Sequence, residues 1–232
     1  MPRKIFLRSS RGMIIMVPCN FILCGVYAME NFDAMAAGFD TDQRTGRAKI
    51  IADKLHTHIV DGHKKSAIEY GCGTGLVGLQ FAKTFKALLL VDSSPEMINQ
   101  TEQKLGKLEH PAVSTLCCDF MTDTPAELQA DYIFSSLVLH HIKDTQTILS
   151  RFYDTLHSGG HLLLVDIDKE DGSFHAEHPN FDGHNGFDQS ALIGLVLKAG
   201  FVAAEAETFY YDSKAAHGKK APYSLFILDA VK

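Results

Sequence analysis

Apolar and polar positions along this chain fall into blocks whose period switches repeatedly between strand-like and helix-like. Residues 66–70 read as a short buried strand that runs into a glycine turn, and residues 76–83 then show helical apolar spacing. Residues 86–92 form an apolar run ending in Asp92, as a strand buried on both faces does, and a helix follows from Pro95 to residue 105. Further strands are predicted over 112–117, 130–136 and 161–168, with a helix over 144–156 and a turn at Ser158, Gly159 and Gly160. Strand, turn and helix alternate through five units, which requires parallel strands joined by right-handed crossovers. Upstream, Ala48, Ile51, Ala52, Leu55 and Ile59 recur at helical spacing within 44–60, and Thr41 or Asp42 would cap that helix. A last helix over 189–199 precedes two segments of strand-like content, 201–211 and 223–231.

Residues 1–28 do not share this pattern. Arg3, Lys4, Arg8 and Arg11 precede an apolar run from Met13 to Ala28 that Pro18 and Asn20 interrupt. That run is short of the ~20 residues a membrane-spanning helix needs. Its outline is that of a signal peptide, but Met29 restarts the chain with an ordinary acidic amphipathic segment. The expectation is an N-terminal extension over 1–28, signal-like or arising from a mis-assigned start, and one domain over 29–232.

Composition narrows the classes. At 232 residues and 46% hydrophobic content the chain can bury a core as a single domain. The net charge of −6 and pI near 6.0, with basic residues scattered, argue against a nucleic-acid surface. Five cysteines, two of them adjacent at 117 and 118, do not make a disulfide framework, and a reducing, cytoplasmic setting follows. No Cys-x-x-Cys pair supports a structural zinc site.

The glycine turn carries the chemistry. Gly71, Gly73 and Gly75 stand at alternate positions, where the backbone needs positive φ and close approach to a ligand. Gly73 to Gly78 also makes a formal G-x-G-x-x-G with Asp92 at about the ~20-residue distance of a ribose-binding acid. Glu69, just before the first glycine, decides against a pyrophosphate, which a carboxylate repels, and for a cationic ligand.

These residues resemble the first motif of the class I S-adenosylmethionine-dependent methyltransferases, strand-(Glu/Asp)-x-Gly-x-Gly-x-Gly, and the resemblance extends over about residues 32–230. It implies an α/β, Rossmann-like, doubly wound sheet of seven strands, mostly parallel, with a C-terminal antiparallel pair. It also implies S-adenosylmethionine as cofactor. Glu69 would meet the methionine ammonium, the turn of Gly71, Gly73 and Gly75 the methionine and ribose, and Asp92 with Ser93 the hydroxyls. Asp119 would accept from the adenine, with Met97 or Phe120 stacking on the ring, and Ser135 would border the pocket. Phe32 and Phe39 are either core staples or a lid over the cofactor.

In an open α/β sheet the ligand crevice lies beyond the carboxyl ends of the strands, so Ser135, Ser136, Leu137, His140 and His141 border the reaction centre. The long segment 169–188 contains His175, His178 and His184 with Glu177 and Asp182. Their spacings lack the helical i, i+4 pairing of metal ligands, so the segment is read as an acceptor lid and no metal is expected. His140, His141 and His184 are the candidate bases. The expected function is methyl transfer to a small molecule by a monomer or homodimer, with no nucleic-acid or membrane partner. The alternatives are an NAD(P)-dependent oxidoreductase and a non-catalytic cofactor-binding module.

Overall fold

Tracing the chain in a computed structural model separates two units, Met1–Glu30 and Asn31–Lys232. The structure describes residues 4–8, 14–18, 32–108, 110–122, 124–178, 180–216 and 219–232. In the first unit β1 (Lys4–Arg8) and β2 (Ile14–Pro18) pair antiparallel, where the sequence shows no pattern of a packed element. A two-stranded pair by itself is marginal in water. The rest of the signal-like stretch, and its proposed end at Ala28, lie outside the described residues.

The second unit opens with α1 (Phe32–Met35), a 3-10 turn and α2 (Asp42–His56). Thr41 caps α2, its hydroxyl accepting the Arg44 N–H at 3.2 Å, and Ala48, Ile51, Ala52 and Leu55 are the buried face. Then come β3 (Ser66–Tyr70), β4 (Ala87–Asp92), α3 (Pro95–Leu108), β5 (Val113–Cys117) and β6 (Ala130–Ser136). The chain finishes through α4 (Thr145–Thr155), β7 (Leu156–Ile167), α5 (Gln189–Lys198), β8 (Ala203–Ala216) and β9 (Lys219–Val231).

The seven strands β3 to β9 form one sheet in the order β5-β4-β3-β6-β7-β9-β8. The first five are parallel, and β9 runs antiparallel to both of its neighbours. Leu88 to Val91 of β4 and Leu162 to Val165 of β7 are buried without alternation, as strands covered on both faces must be. The order reverses between β3 and β6, and that switch point opens a crevice at the carboxyl ends of the strands.

Three local expectations are corrected. Residues 76–83 form no α-helix: Gly78–Phe81 is one 3-10 turn, with Gln80 N–H donating to Val77 O and Ala82 N–H to Leu79 O. Glycine is a weak helix former, and an added Cβ at Gly78 would stand 2.0 Å from Glu69 Oε2, so that position serves the core rather than a helix. Residues 158–160 lie inside β7 as an irregularity, not a turn before it; the pairing jumps from Ala130↔Leu156 to Tyr132↔His161, with Gly159 at φ +74. The β8–β9 hairpin is longer than 201–211 and 223–231, because its tip keeps pairing out to Ala216↔Lys219.

Candidate active site

The glycine turn leaves β3 with Gly71, Gly73 and Gly75 at φ +74, +53 and +79, the left-handed region in which a Cβ is strained. Gly71 also lacks room, since an added Cβ would be 2.3 Å from Val138 Cγ2. At Gly73 the only neighbour of an added Cβ would be Phe39 Cε1 at 4.0 Å, so the turn presents bare backbone toward the N-terminal segment.

Asp92 ends β4 beside this turn. Its Oδ2 accepts the Gly73 N–H at 2.7 Å and its Oδ1 the Ser94 N–H at 2.9 Å. Burial raises its carboxyl above the usual range, and those N–H bonds pull it back down. The carboxylate is therefore fixed by backbone donors, with acceptor capacity left for a further hydroxyl. Glu69 lies under the turn, 1% exposed, with the Gly78 N–H as a backbone partner. Its Oε2 is buried without a hydrogen bond, and burial, reinforced by Asp92, holds its carboxyl well above the ordinary glutamate range. An anchored hydroxyl acceptor, a bare glycine backbone and an orphaned buried carboxyl oxygen fit a ligand with a diol and a positive charge.

The N-terminal segment lies over these groups. Ser94 Oγ donates to Asp33, whose Oδ1 also receives the Glu96 N–H at 3.4 Å. Asp40 takes the Thr74 hydroxyl and a salt bridge from Lys104. Phe39 is stacked under the Arg44 guanidinium at 4.2 Å, and Phe32 meets the His141 ring edge-on at 5.3 Å. Phe32 and Phe39 are both half-buried.

The remaining predicted cofactor residues divide. Ser93 is exposed, and Asp119, half-buried past β5, uses Oδ1 to accept from Tyr70 Oη at 3.1 Å and Met121 N–H at 2.9 Å. Met97 and Phe120 are 1% and 0% exposed, and the Phe120 ring packs on Tyr70 and Phe152. The Ser135 hydroxyl is buried and donates to Tyr70 O at 2.7 Å, pinning β6 to β3.

Beyond β6 the chain turns sharply at Leu137, a non-glycine residue at φ +58, and a 3-10 turn delivers His140 and His141. His140 is 2% exposed. Its Nδ1 lies 2.6 Å from Asp166 Oδ1, and its backbone N–H donates to Asp166 Oδ2 at 3.2 Å. A carboxylate oxygen accepts, so Nδ1 carries a proton and donates it to Asp166. Segment 169–188 is tied at its stems, Lys169 N–H to Phe187 O and Glu170 N–H to Asn185 O, and it brings His175 to the same place. The His175 ring centroid is 5.1 Å from that of His140 and 5.8 Å from that of His141, and it stacks on Phe181 at 3.6 Å. Burial first, and neighbouring imidazoles second, lower His141 to about 2 and His175 to about 3, so both rings are neutral at physiological pH.

His184 is not with them. Its Nε2 lies 3.0 Å from Ile142 O and 3.2 Å from Thr145 Oγ1, while its backbone N–H donates to His140 O at 2.7 Å. Through Nε2 and its backbone N–H it fastens the segment to the turn that follows β6. Asp166 is the functional residue the sequence reading missed. The available signal was a carboxylate between Val165 and Ile167 in a strand buried on both faces, where an acid must find a partner.

Residues 68–162 match a family model described as a methyltransferase domain. An uncharacterised methyltransferase of Schizosaccharomyces pombe is 26% identical over 176 residues, 68% of this chain and 62% of that protein. The (S)-coclaurine N-methyltransferase of Papaver somniferum is 30% identical over 149 residues, 61% of this chain and 42% of that protein. The chain thus spans less than two thirds of the length of these relatives. Among solved structures, phosphoethanolamine N-methyltransferase 2 of Haemonchus contortus with S-adenosyl-L-methionine superposes with a TM-score of 0.65 at 18% identity, over 95% of this chain and 62% of that one. Over residues 68–162 the chain is thus similar to a methyltransferase domain, and its fold is like that of the Haemonchus structure.

Proposed function

We propose that residues 29–232 act as an S-adenosylmethionine-dependent methyltransferase on a small-molecule acceptor. The observation that carries the reading is the Asp92 carboxylate clasped by the Gly73 N–H beside three positive-φ glycines, under the segment that holds Phe32 and Phe39. The bound cofactor would supply a methyl already activated on a sulfonium. Asp92 receives ribose hydroxyls, Glu69 offers its free oxygen to the positive end, and Asp119 keeps Oδ2 for the adenine edge. The N-terminal segment and segment 169–188 exclude water from both sides, and alignment supplies most of the rate. His140, its Nδ1 held by Asp166, is the group placed to take a proton when the acceptor must lose one.

A small acceptor agrees with the acidic net charge and with the acceptors named for the Papaver and Haemonchus proteins. Among the described residues no helix is long and apolar enough to cross a membrane. Among the described residues Cys72, Cys117 and Cys118 form no disulfide, which suits the cytoplasmic setting included in the proposal, as is a monomer or homodimer. The β8–β9 pair speaks against the nicotinamide alternative.

Thermal melts with S-adenosylmethionine and with NAD⁺ test the reading. A melting temperature that rises with S-adenosylmethionine and not with NAD⁺ is expected, about 2.7 kcal/mol of stabilisation at a hundredfold excess over Kd. Stabilisation by NAD⁺ alone would overturn it. Release of S-adenosylhomocysteine across a panel of amines, alcohols and thiols would then identify the acceptor class.

A further inference from the structure

His140, His141 and His175 come from two separate parts of the chain, yet one ring nitrogen of each lies within 4.8 Å of the others. The histidine pair arrives from the strained turn after β6 and the third from the tied segment after β7. Aromatic walls surround them: Phe181 stacks on His175, Phe174 meets His175 edge-on at 4.9 Å, and Phe32 covers His141. Packing alone accounts for the rings but not for their polar atoms. His175 Nδ1 is buried with no hydrogen-bond partner, although the residue is only 6% exposed, and a lone pair so placed loses its water for nothing unless a ligand takes it. His140 meanwhile has its Nδ1 locked by Asp166, the carboxylate–histidine arrangement that orients an imidazole toward a metal and raises its basicity.

We propose that His140, His141 and His175 bind one divalent transition-metal ion of the zinc class, with Asp166 as the positioning residue behind His140. Two imidazoles on a tetrahedral ion at 2.0–2.1 Å have their nitrogens about 3.3 Å apart, so small ring rotations close the present spacing. Three imidazole nitrogen donors with no oxygen ligand select zinc, cobalt or nickel over magnesium or calcium. The charged groups nearest the cluster are Asp166, whose negative charge favours the cation, and Lys214, which lies over the Phe174 ring at 4.2 Å. Three protein ligands leave a fourth position. If the methyltransferase reading holds, that position faces the acceptor, so a hydroxyl or thiol bound there would shed its proton to solvent more readily and His140 would not be needed as a base.

The test uses the full chain stripped with EDTA and titrated with cobalt(II) chloride, followed by zinc chloride. One equivalent of cobalt is expected, with the visible ligand-field bands of a four- or five-coordinate ion and no thiolate charge-transfer band, and zinc should displace it. His175→Ala and His141→Gln should each lower affinity at least a hundredfold with near-ultraviolet circular dichroism retained. Asp166→Asn should lower it ten- to a hundredfold at unchanged stoichiometry. Failure of the parent to take up an equivalent, a thiolate band, or equal binding by the parent and both histidine variants would each overturn the site. S-adenosylmethionine binding measured on the same samples reads the methyltransferase proposal independently, since none of these histidines touches the glycine turn or Asp92.

Discussion

Asp92 fastens the Gly73 N–H as well as standing ready for a ligand, so its removal has two effects. Asp92→Ala should weaken S-adenosylmethionine binding tenfold or more, with hydrogen bonds to a charged group worth about 1.5–3 kcal/mol each, and calorimetric titration reads the loss. Gly73→Val should be worse, since a β-branched side chain resists φ +53 and projects toward Phe39 across the open face of the turn. Retained affinity in a folded valine variant would remove the turn from the site. Glu69 supplies a pH signature. An acid whose folded-state pKa is raised contributes its stability in full below the unfolded value of 4.5 and loses it as pH climbs through the folded value. The parent should therefore lose melting temperature from about pH 5 upward, and Glu69→Gln should flatten that fall; a parental slope in the variant would take Glu69 out of the account. At this scale Glu69, Asp92 and the glycines were legible because strand ends and positive-φ demands show in one sequence. Asp166 and the depth of Met97, Phe120 and Ser135 were not, because burial on a strand covered from both sides is decided by what packs there.

The elements with long apolar runs could be read directly, and those whose shape answers to a neighbour could not. The crossover after the glycine turn has helical spacing, yet Gly78 gives way to the Glu69 carboxylate and the segment tightens to one 3-10 turn. Segment 169–188 was legible as functional from its length, but the choice among its histidines was not. His175 points into the cluster and His184 fastens the segment down. Chain order alone does not separate those roles, because both sit near glycines that permit either bend. His184→Ala should release the segment from Ile142 and Thr145, lowering acceptor kcat/KM while S-adenosylmethionine affinity stays within about threefold, under ~1 kcal/mol. Loss of cofactor binding in that variant would show the segment to be part of the cofactor site instead. At the far end of the same segment, Asp168 accepts from Gln189, Thr208 and Ser224, joining the exit of β7 to α5, β8 and β9. Asp168→Ala should cost about 3 kcal/mol, measured by denaturant unfolding, because three donors lose their acceptor together.

Across the whole molecule, the five parallel strands follow from alternation, whereas the sheet order and the antiparallel pair came from resemblance, since nothing local says where a C-terminal strand inserts. β9 inserts between β7 and β8, along Ile167↔Leu225 to His161↔Val231 on one side and along β8 on the other. That placement has a consequence for synthesis on the ribosome. A nascent chain that has emerged only through residue 216 holds the β5-β4-β3-β6-β7 sheet with the backbone of β7 uncovered on one side, and β8 has no partner in the sheet until residues 219–231 follow. At translation rates of about 5–20 residues per second this bare edge lasts of the order of a second. During that interval Leu162 to Val165 stand as an unpaired apolar edge strand, the template on which polypeptides co-aggregate. Chains arrested there should accordingly be far more protease-sensitive and chaperone-bound than chains released after β9 has closed the gap.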